Sequence, residues 1–208
     1  MSAEASSGSR VERKKEETKQ KIISVAMKLF EEQGVDQTTM EQIAKEVDIA
    51  KGTLYNYFSV KEAIICEYIQ RSFQERNTER IMQLQKMPDT RSRMKFILEL
   101  LFKGIQDQKE IFEKYFIYQI RNMISLDRDT GMKSGMRLLA RKIIMLGQES
   151  GELRCDMPFE ILVALFEFVF VEVAQELYMK PESFNAEETI ESCINLFLNG
   201  VKNTAIKN

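Results

Sequence analysis

Histidine is missing altogether from the 208 residues. Its absence removes the Ser-His-Asp type of hydrolase, the usual zinc sites and the side chain that ordinarily changes charge near neutral pH. No other nucleophile–base pairing is recognisable either, so the chain is not expected to be an enzyme and no metal or cofactor is called for. Nine glycines and three prolines leave few places where a helix would have to break. Cys66, Cys155 and Cys193 are odd in number, far apart and flanked by apolar residues, which reads as buried or free thiols of a reducing cytoplasm rather than a disulfide framework or a redox sensor. Long apolar runs are also lacking. The best one, Ile161 to Ala174, is interrupted by Glu167 and Glu172 and is too short to span a bilayer. Residues 1–9 are rich in Ser, Ala and Gly without an apolar stretch, so they read as a disordered tail and not as a signal peptide.

What is present is charge and apolar residue in alternating faces. Hydrophobic residues make up 44% and charged residues 30% of the chain, the balance of helices that are greasy on one side only. The net charge of −2 argues by itself against nucleic acid. Its distribution argues otherwise, because seven Lys/Arg stand against three Glu between Ser9 and Lys28, and the segment Ile49 to Lys61 holds Lys51 and Lys61 with no acid.

Read for periodicity, Arg10 to Gln33 forms a first helix with Ile22, Ala26, Leu29 and Phe30 on one face. Gly34 stands where a left-handed cap is needed. Thr38 and Thr39 each have an acid or amide three residues on, two overlapping capping boxes that fix a helix start but not its register. The short helix after them buries Met40, Ile43, Ala44 and Val47. A break at Asp48-Ile49-Ala50 leads into a second short helix, Lys51 to Phe58, whose inward residues are Leu54 and Phe58. Two short helices joined by three residues form a helix-turn-helix pattern. A helix from about Val60 to Met87 would span roughly 40 Å. Further helices follow over about 89–107, 109–125, 128–149, 158–179 and 186–202. With no strand-like alternation and no repeat, the fold class is all-α.

The outward residues of the second short helix are Lys51, Thr53, Tyr55, Asn56 and Tyr57. All are hydrogen-bond donors and none is acidic. Thr and Tyr hydroxyls donate to phosphate oxygens, Lys neutralises them, Gly52 lets a ligand approach the backbone, and Asn56 and Thr53 suit base edges in a major groove.

The run Leu29-Phe30, Gly34, Thr38-Thr39, Ile43-Ala44, Lys51-Gly52-Thr53-Leu54-Tyr55, Phe58 and Lys61-Glu62 resembles the DNA-binding domain of the TetR family of regulators, in order and spacing over about 45 residues from Ile22 to Ile65. The resemblance implies a three-helix helix-turn-helix domain over 10–61 and a helical ligand-binding and dimerisation domain over 62–208. It implies that Thr39 caps the second helix against a phosphate, that Lys51 and Thr53 open the recognition helix, and that Tyr55, Tyr57 and Lys61 hold the DNA backbone. Gly52 and Asn56 complete the expected DNA-binding set. Three positions depart from the family: Asp48 replaces a turn glycine, Ala50 a capping serine and Asn56 an aromatic, so the operator sequence is not transferable. The implied activity is a cytoplasmic repressor, released from a near-palindromic double-stranded operator by a small apolar effector. An activator on the same fold stays open.

Beyond Pro88 an aromatic and Met load, Phe96, Leu100, Phe112, Tyr115, Phe116, Gln119, Met123, Met136, Phe166 and Phe170, reads residue by residue as core and collectively as an adaptable effector pocket. Glu167 and Glu172 sit in an otherwise apolar helix and need a partner. A cationic ligand, an arginine such as Arg121 or Arg137 across an interface, or solvent at a helix edge would serve, the last two being favoured. The resemblance places a homodimer interface on the last two helices, in keeping with a helix that is apolar nearly all round.

Overall fold

The capping and periodicity signals set nine helices in a computed structural model that describes residues 3–123, 135–179 and 185–201; side chains are described for 10–118, 121, 136–178 and 185–201. They are α1 (Ala3–Gln33), α2 (Met40–Val47), α3 (Lys51–Tyr57), α4 (Lys61–Lys86), α5 (Thr90–Asp107), α6 (Lys109–Met123), α7 (Gly135–Glu149), α8 (Phe159–Met179) and α9 (Ala186–Val201), with no strand element among the described residues. The all-α expectation holds.

Two differences from the sequence reading concern boundaries. α1 begins at Ala3, so residues 3–9, expected in a disordered tail, are helical. Ala3, Glu4 and Ala5 are strong helix formers, and adding turns to a helix already nucleated by its packed half is far easier than starting one. Cα packing groups the described residues into two compact units whose bounds differ from the expected functional division at 61/62. One compact unit holds the chain up to Ile69 together with Glu110–Asn122, and the other holds Gln70–Lys109 with the chain from Met123 onward. The reason lies in long-range bonds: the Val35 N–H donates to Glu110 Oε1 at 2.8 Å, and Lys114 Nζ lies 2.7 Å from Asp36 Oδ1. These tie α6 to the loop after α1.

In the first unit Ile22, Ile23, Ala26 and Phe30 of α1 are buried with Ile43, Ala44 and Val47 of α2, Leu54 and Phe58, and Ile64 and Ile65 of α4. Phe112, Tyr115 and Phe116 of α6 are buried in the same unit, with Tyr115 and Phe116 edge-to-face at 5.5 Å. The sequence reading expects them in an effector pocket of a separate domain, whereas the unit to which they belong is that of the helix-turn-helix.

The second unit packs α5, α7, α8 and α9 against one another. Met94, Ile97 and Leu98, Leu139, Ile143 and Ile144, Leu162, Val163 and Phe166, and Ile190 and Ile194 form its core, and Phe166 meets Phe197 at 5.7 Å. Arg93 fastens the end of α4, donating to Leu84 O at 3.1 Å and Met87 O at 2.9 Å. Gly147 passes so close to its neighbours that a Cβ would stand 2.7 Å from Leu153 Cγ and from Thr90 Oγ1. Glu167 is paired within the chain, its Oε2 2.7 Å from Arg137 Nη1, whereas Glu172 is exposed. Burial raises the Glu167 carboxyl above its ordinary range, with Arg137 opposing. No helix among the described residues is long and apolar enough to cross a membrane.

Candidate nucleic-acid interface

Thr39 is the α2 cap, settling the choice between two threonines. Its Oγ1 accepts from the Gln42 N–H at 3.2 Å while Gln42 Oε1 accepts from the Thr39 N–H at 2.8 Å. Thr38 is buried instead, donating from Oγ1 to Gly34 O at 2.8 Å. Gly34 has φ +85, the left-handed value its position after α1 requires. Asp48 ends α2 at φ 62 and ψ 51, with its N–H directed to Ala44 O and Lys45 O. The left-handed turn therefore forms without glycine, at the strain an L side chain carries there. Lys21 adds a bond from Nζ to Val47 O at 2.8 Å, a role with no local sequence signal.

α3 starts at Ala50 with no side-chain cap and buries Leu54, and Phe58 follows it into the core. Lys51, Gly52, Thr53, Tyr55 and Asn56 are exposed, Tyr57 is half-buried, and Thr39 is exposed at the start of α2. A Cβ on Gly52 would meet nothing within 4 Å. The chain's own packing thus gives no reason for glycine there, although glycine costs a helix about 1 kcal/mol relative to alanine.

Two lysines are placed in ways the sequence does not foretell. Lys51 is ion-paired to Glu41 of α2, and its Nζ lies 5.8 Å from the Tyr55 ring centroid. That hydrogen bond to Glu41 raises the Lys51 pKa and lowers that of Glu41. Lys61, expected on the DNA backbone, is half-buried and turned onto the α1–α2 loop. Its Nζ donates to Val35 O at 2.5 Å, Thr38 O at 3.1 Å and Asp36 O at 3.4 Å. An ammonium has three protons, and here each has a carbonyl.

Of the residues expected around an effector, Phe96 and Leu100 of α5 are half-buried and Met136, Phe166 and Phe170 are buried, all in the second unit. Gln119 and Met123 lie outside the described side chains. Cys66 is buried, which pushes its thiol up to about 12 and leaves it inert; Cys193 is half-buried, Cys155 is exposed, and all three are free.

Residues 22–68 match the family described as bacterial regulatory proteins, tetR family. The uncharacterized HTH-type transcriptional regulator YuxN of Bacillus subtilis is 33% identical over 90 residues, which are 43% of this chain and 31% of that relative. The match to this curated relative therefore spans about a third of its length. Among solved structures, Thermus thermophilus FadR, a TetR family transcriptional repressor in complex with lauroyl-CoA, superposes with a TM-score of 0.76 at 22% identity, over 91% of this chain and 96% of that one. FadR from Bacillus subtilis in complex with stearoyl-CoA gives 0.60 at 17% identity, over 88% and 98%. At those identities the superpositions show a shared fold.

Proposed function

From the premise that residues 22–68 are the DNA-binding domain of the TetR family, we propose that this chain is a ligand-responsive transcription regulator, a cytoplasmic repressor that leaves a near-palindromic operator when a small, largely apolar effector binds its C-terminal helices. One observation carries the reading. The exposed side of α3 offers Lys51, Thr53, Tyr55 and Asn56, with the half-buried Tyr57 at its end, around a glycine that nothing in the fold requires, and it holds no acid. Such a face donates hydrogen bonds to phosphates and base edges. Thr39, Lys51, Tyr55 and Tyr57 are assigned to the backbone, Thr53 and Asn56 to bases, and Gly52 to close approach. Lys61 is assigned to holding the loop between α1 and α2, on the strength of its three carbonyl acceptors.

Dimerisation through α8 and α9 is supported by a stripe that a lone chain leaves in water. Ile161, Leu165 and Phe168 follow one another at helical spacing on α8 and are 46%, 43% and 52% exposed; Leu196 of α9 is 79% exposed. A two-fold dimer places two α3 helices on two half-sites. An apolar effector is supported by the acyl-CoA complexes of the FadR proteins and by Phe96, Leu100, Met136, Phe166 and Phe170 in the second unit. The effector acts only by preferring the form that DNA does not select.

Site selection from a random duplex library with the full-length protein, then fluorescence anisotropy on the selected duplex, tests this. A two-fold symmetric site is expected, with Tyr55→Phe and Asn56→Ala each weakening binding about tenfold. Failure of any sequence to enrich, or equal binding by both variants, would overturn the proposal.

A further inference from the structure

Asn77, on α4 within the second unit, is 4% exposed, and neither its Nδ2 nor its Oδ1 has a hydrogen-bond partner among the described residues. One turn on, Arg80 buries its Nη1 in the same condition, and its guanidinium carbon lies 4.8 Å from the Phe73 ring centroid. Residues 73, 77, 80 and 84 recur at the spacing of a single helix face. Leu84 closes that face in the core, while 74–76, 78 and 79 are exposed, so the pair points inward.

A primary amide carries two donors and two acceptor lone pairs, and burying it unpaired is strongly unfavourable where a leucine of similar volume would fit without penalty. Other buried polar side chains fare better. Thr38 bonds to Gly34 O, and Glu167 to Arg137, while Arg93 bonds to the Leu84 and Met87 carbonyls and leaves only Nη1 unbonded, 3.7 Å from the Glu152 carboxylate. Thr90 leaves a lone hydroxyl oxygen unbonded, a smaller debt than a whole amide. The charge environment at Arg80 also has a sign. Burial and the neighbouring Arg76 press on its guanidinium, and Glu79 opposes them. A group that brings electron-rich oxygen to this face relieves both the unpaired N–H groups and the crowded positive charge.

We infer that Asn77 and Arg80 form the polar end of the effector site, where they grip an acyl oxygen, as carboxylate or as thioester carbonyl, at the head of an apolar chain that runs over Phe73. The inference rests on the effector-sensing reading above and narrows its effector from merely apolar to an acyl amphiphile. Asn77 Nδ2 and Arg80 Nη1 donate to the acyl oxygen, and the Phe73 ring, already under the guanidinium, shields that contact from water.

Calorimetric titration of the full-length protein with decanoate, decanoyl-CoA and decylammonium tests the head group while holding the tail constant. At least one acyl ligand is expected to bind at least tenfold more tightly than decylammonium, the better of the two naming carboxylate or thioester as the source. Asn77→Leu and Arg80→Met are each expected to weaken that ligand tenfold or more and to leave decylammonium unchanged. Without ligand, Asn77→Leu is expected to melt at or above the wild-type temperature, an outcome that a structural hydrogen-bonding role would reverse. The inference fails if neither acyl ligand binds, if Arg80→Met binds it as the wild type does, or if Asn77→Leu lowers the melting temperature. Anisotropy on the selected duplex separates the two proposals: intact DNA binding without an acyl response sinks this one alone, and acyl binding without DNA binding sinks the regulator.

Discussion

Replacing Lys51 by methionine isolates the one cation on α3, which the proposed function assigns to phosphate. Its ammonium is more than half exposed and is shared with Glu41, and that pairing holds both groups in their charged forms across any pH at which DNA binding is measured. A phosphate must therefore take the ammonium from a carboxylate that also repels it. Each phosphate neutralised adds about 0.9 to the slope of log K against log salt. Lys51→Met should flatten the slope by about 0.9 per reading head, or about 1.8 for a dimer. Between about 50 and 200 mM salt, a fourfold change, the wild-type advantage should shrink by roughly 3.5-fold per head and twelvefold for two. Glu41→Gln, which removes the competitor, should bind more tightly than wild type at the same salt. Lys28, paired with Glu32 on the outer side of α1, serves as control: Lys28→Met should leave the slope alone. Anisotropy titrations at four or five salt concentrations measure all of this. A wild-type slope in Lys51→Met, or weaker binding by Glu41→Gln, would refute the assignment of Lys51 to phosphate.

Lys61→Met should lower stability by about 2 kcal/mol, because three loop carbonyls lose their donor; urea unfolding detects this, and an unchanged midpoint with a flatter DNA salt slope would return Lys61 to the DNA. Arg137→Met leaves the buried Glu167 carboxylate without its cation. A carboxyl whose folded pKa is raised has its full stability at pH values below the ordinary carboxylate range and loses it as pH climbs toward the folded value. The deficit of this variant should therefore be small at about pH 4.5 and grow to about 2 kcal/mol by about pH 8, and Arg137→Met combined with Glu167→Leu should recover most of it; a deficit that ignores pH contradicts this account. Gly147→Ala must push against Leu153 and Thr90, so a loss of about 1–3 kcal/mol is expected as a lower melting temperature, and a wild-type melt would show that the α5–α7 contact yields.

The helix-turn-helix is legible in the sequence because its determinants are local. Thr39 and Gln42 cap each other three residues apart, Gly34 and Asp48 supply left-handed turns, and Met40, Ile43, Ala44 and Val47 repeat at helical spacing. Bonds that span the sequence leave no such trace. Glu110 and Lys114 reach back 75 and 78 residues to Val35 and Asp36, so nothing near either pair announces that α6 belongs with the first unit. The loop contacts of Lys61 are equally hidden in the sequence. A lysine at the start of a helix looks the same in sequence whether its ammonium faces a phosphate or three carbonyls 23 to 26 residues away. Glu167 declares its need for a partner by its apolar surroundings, and Arg137 is among the candidates, but the pair closes within one chain instead of across an interface. Asn77 gives no signal, since an asparagine on a charged helix reads as surface until its burial is known.

The composition of α3 also bears on why the proposed regulator would act as a pair. One lysine and a set of neutral donors give a reading head more hydrogen-bond direction than long-range attraction, in a chain whose total charge is −2. A single head would hold DNA weakly and with a shallow dependence on salt. Joining two heads makes the second contact intramolecular, and such linkage raises the apparent affinity by about 10²–10⁴ without any new bond. In the proposed dimer that gain is transmitted through the apolar stripe of Ile161, Leu165, Phe168 and Leu196. An effector then has no need to mask α3 or unfold it. Changing the distance between the heads so that only one engages at a time forfeits the linkage factor, which is large enough to empty an operator while every DNA-contacting side chain keeps its local geometry.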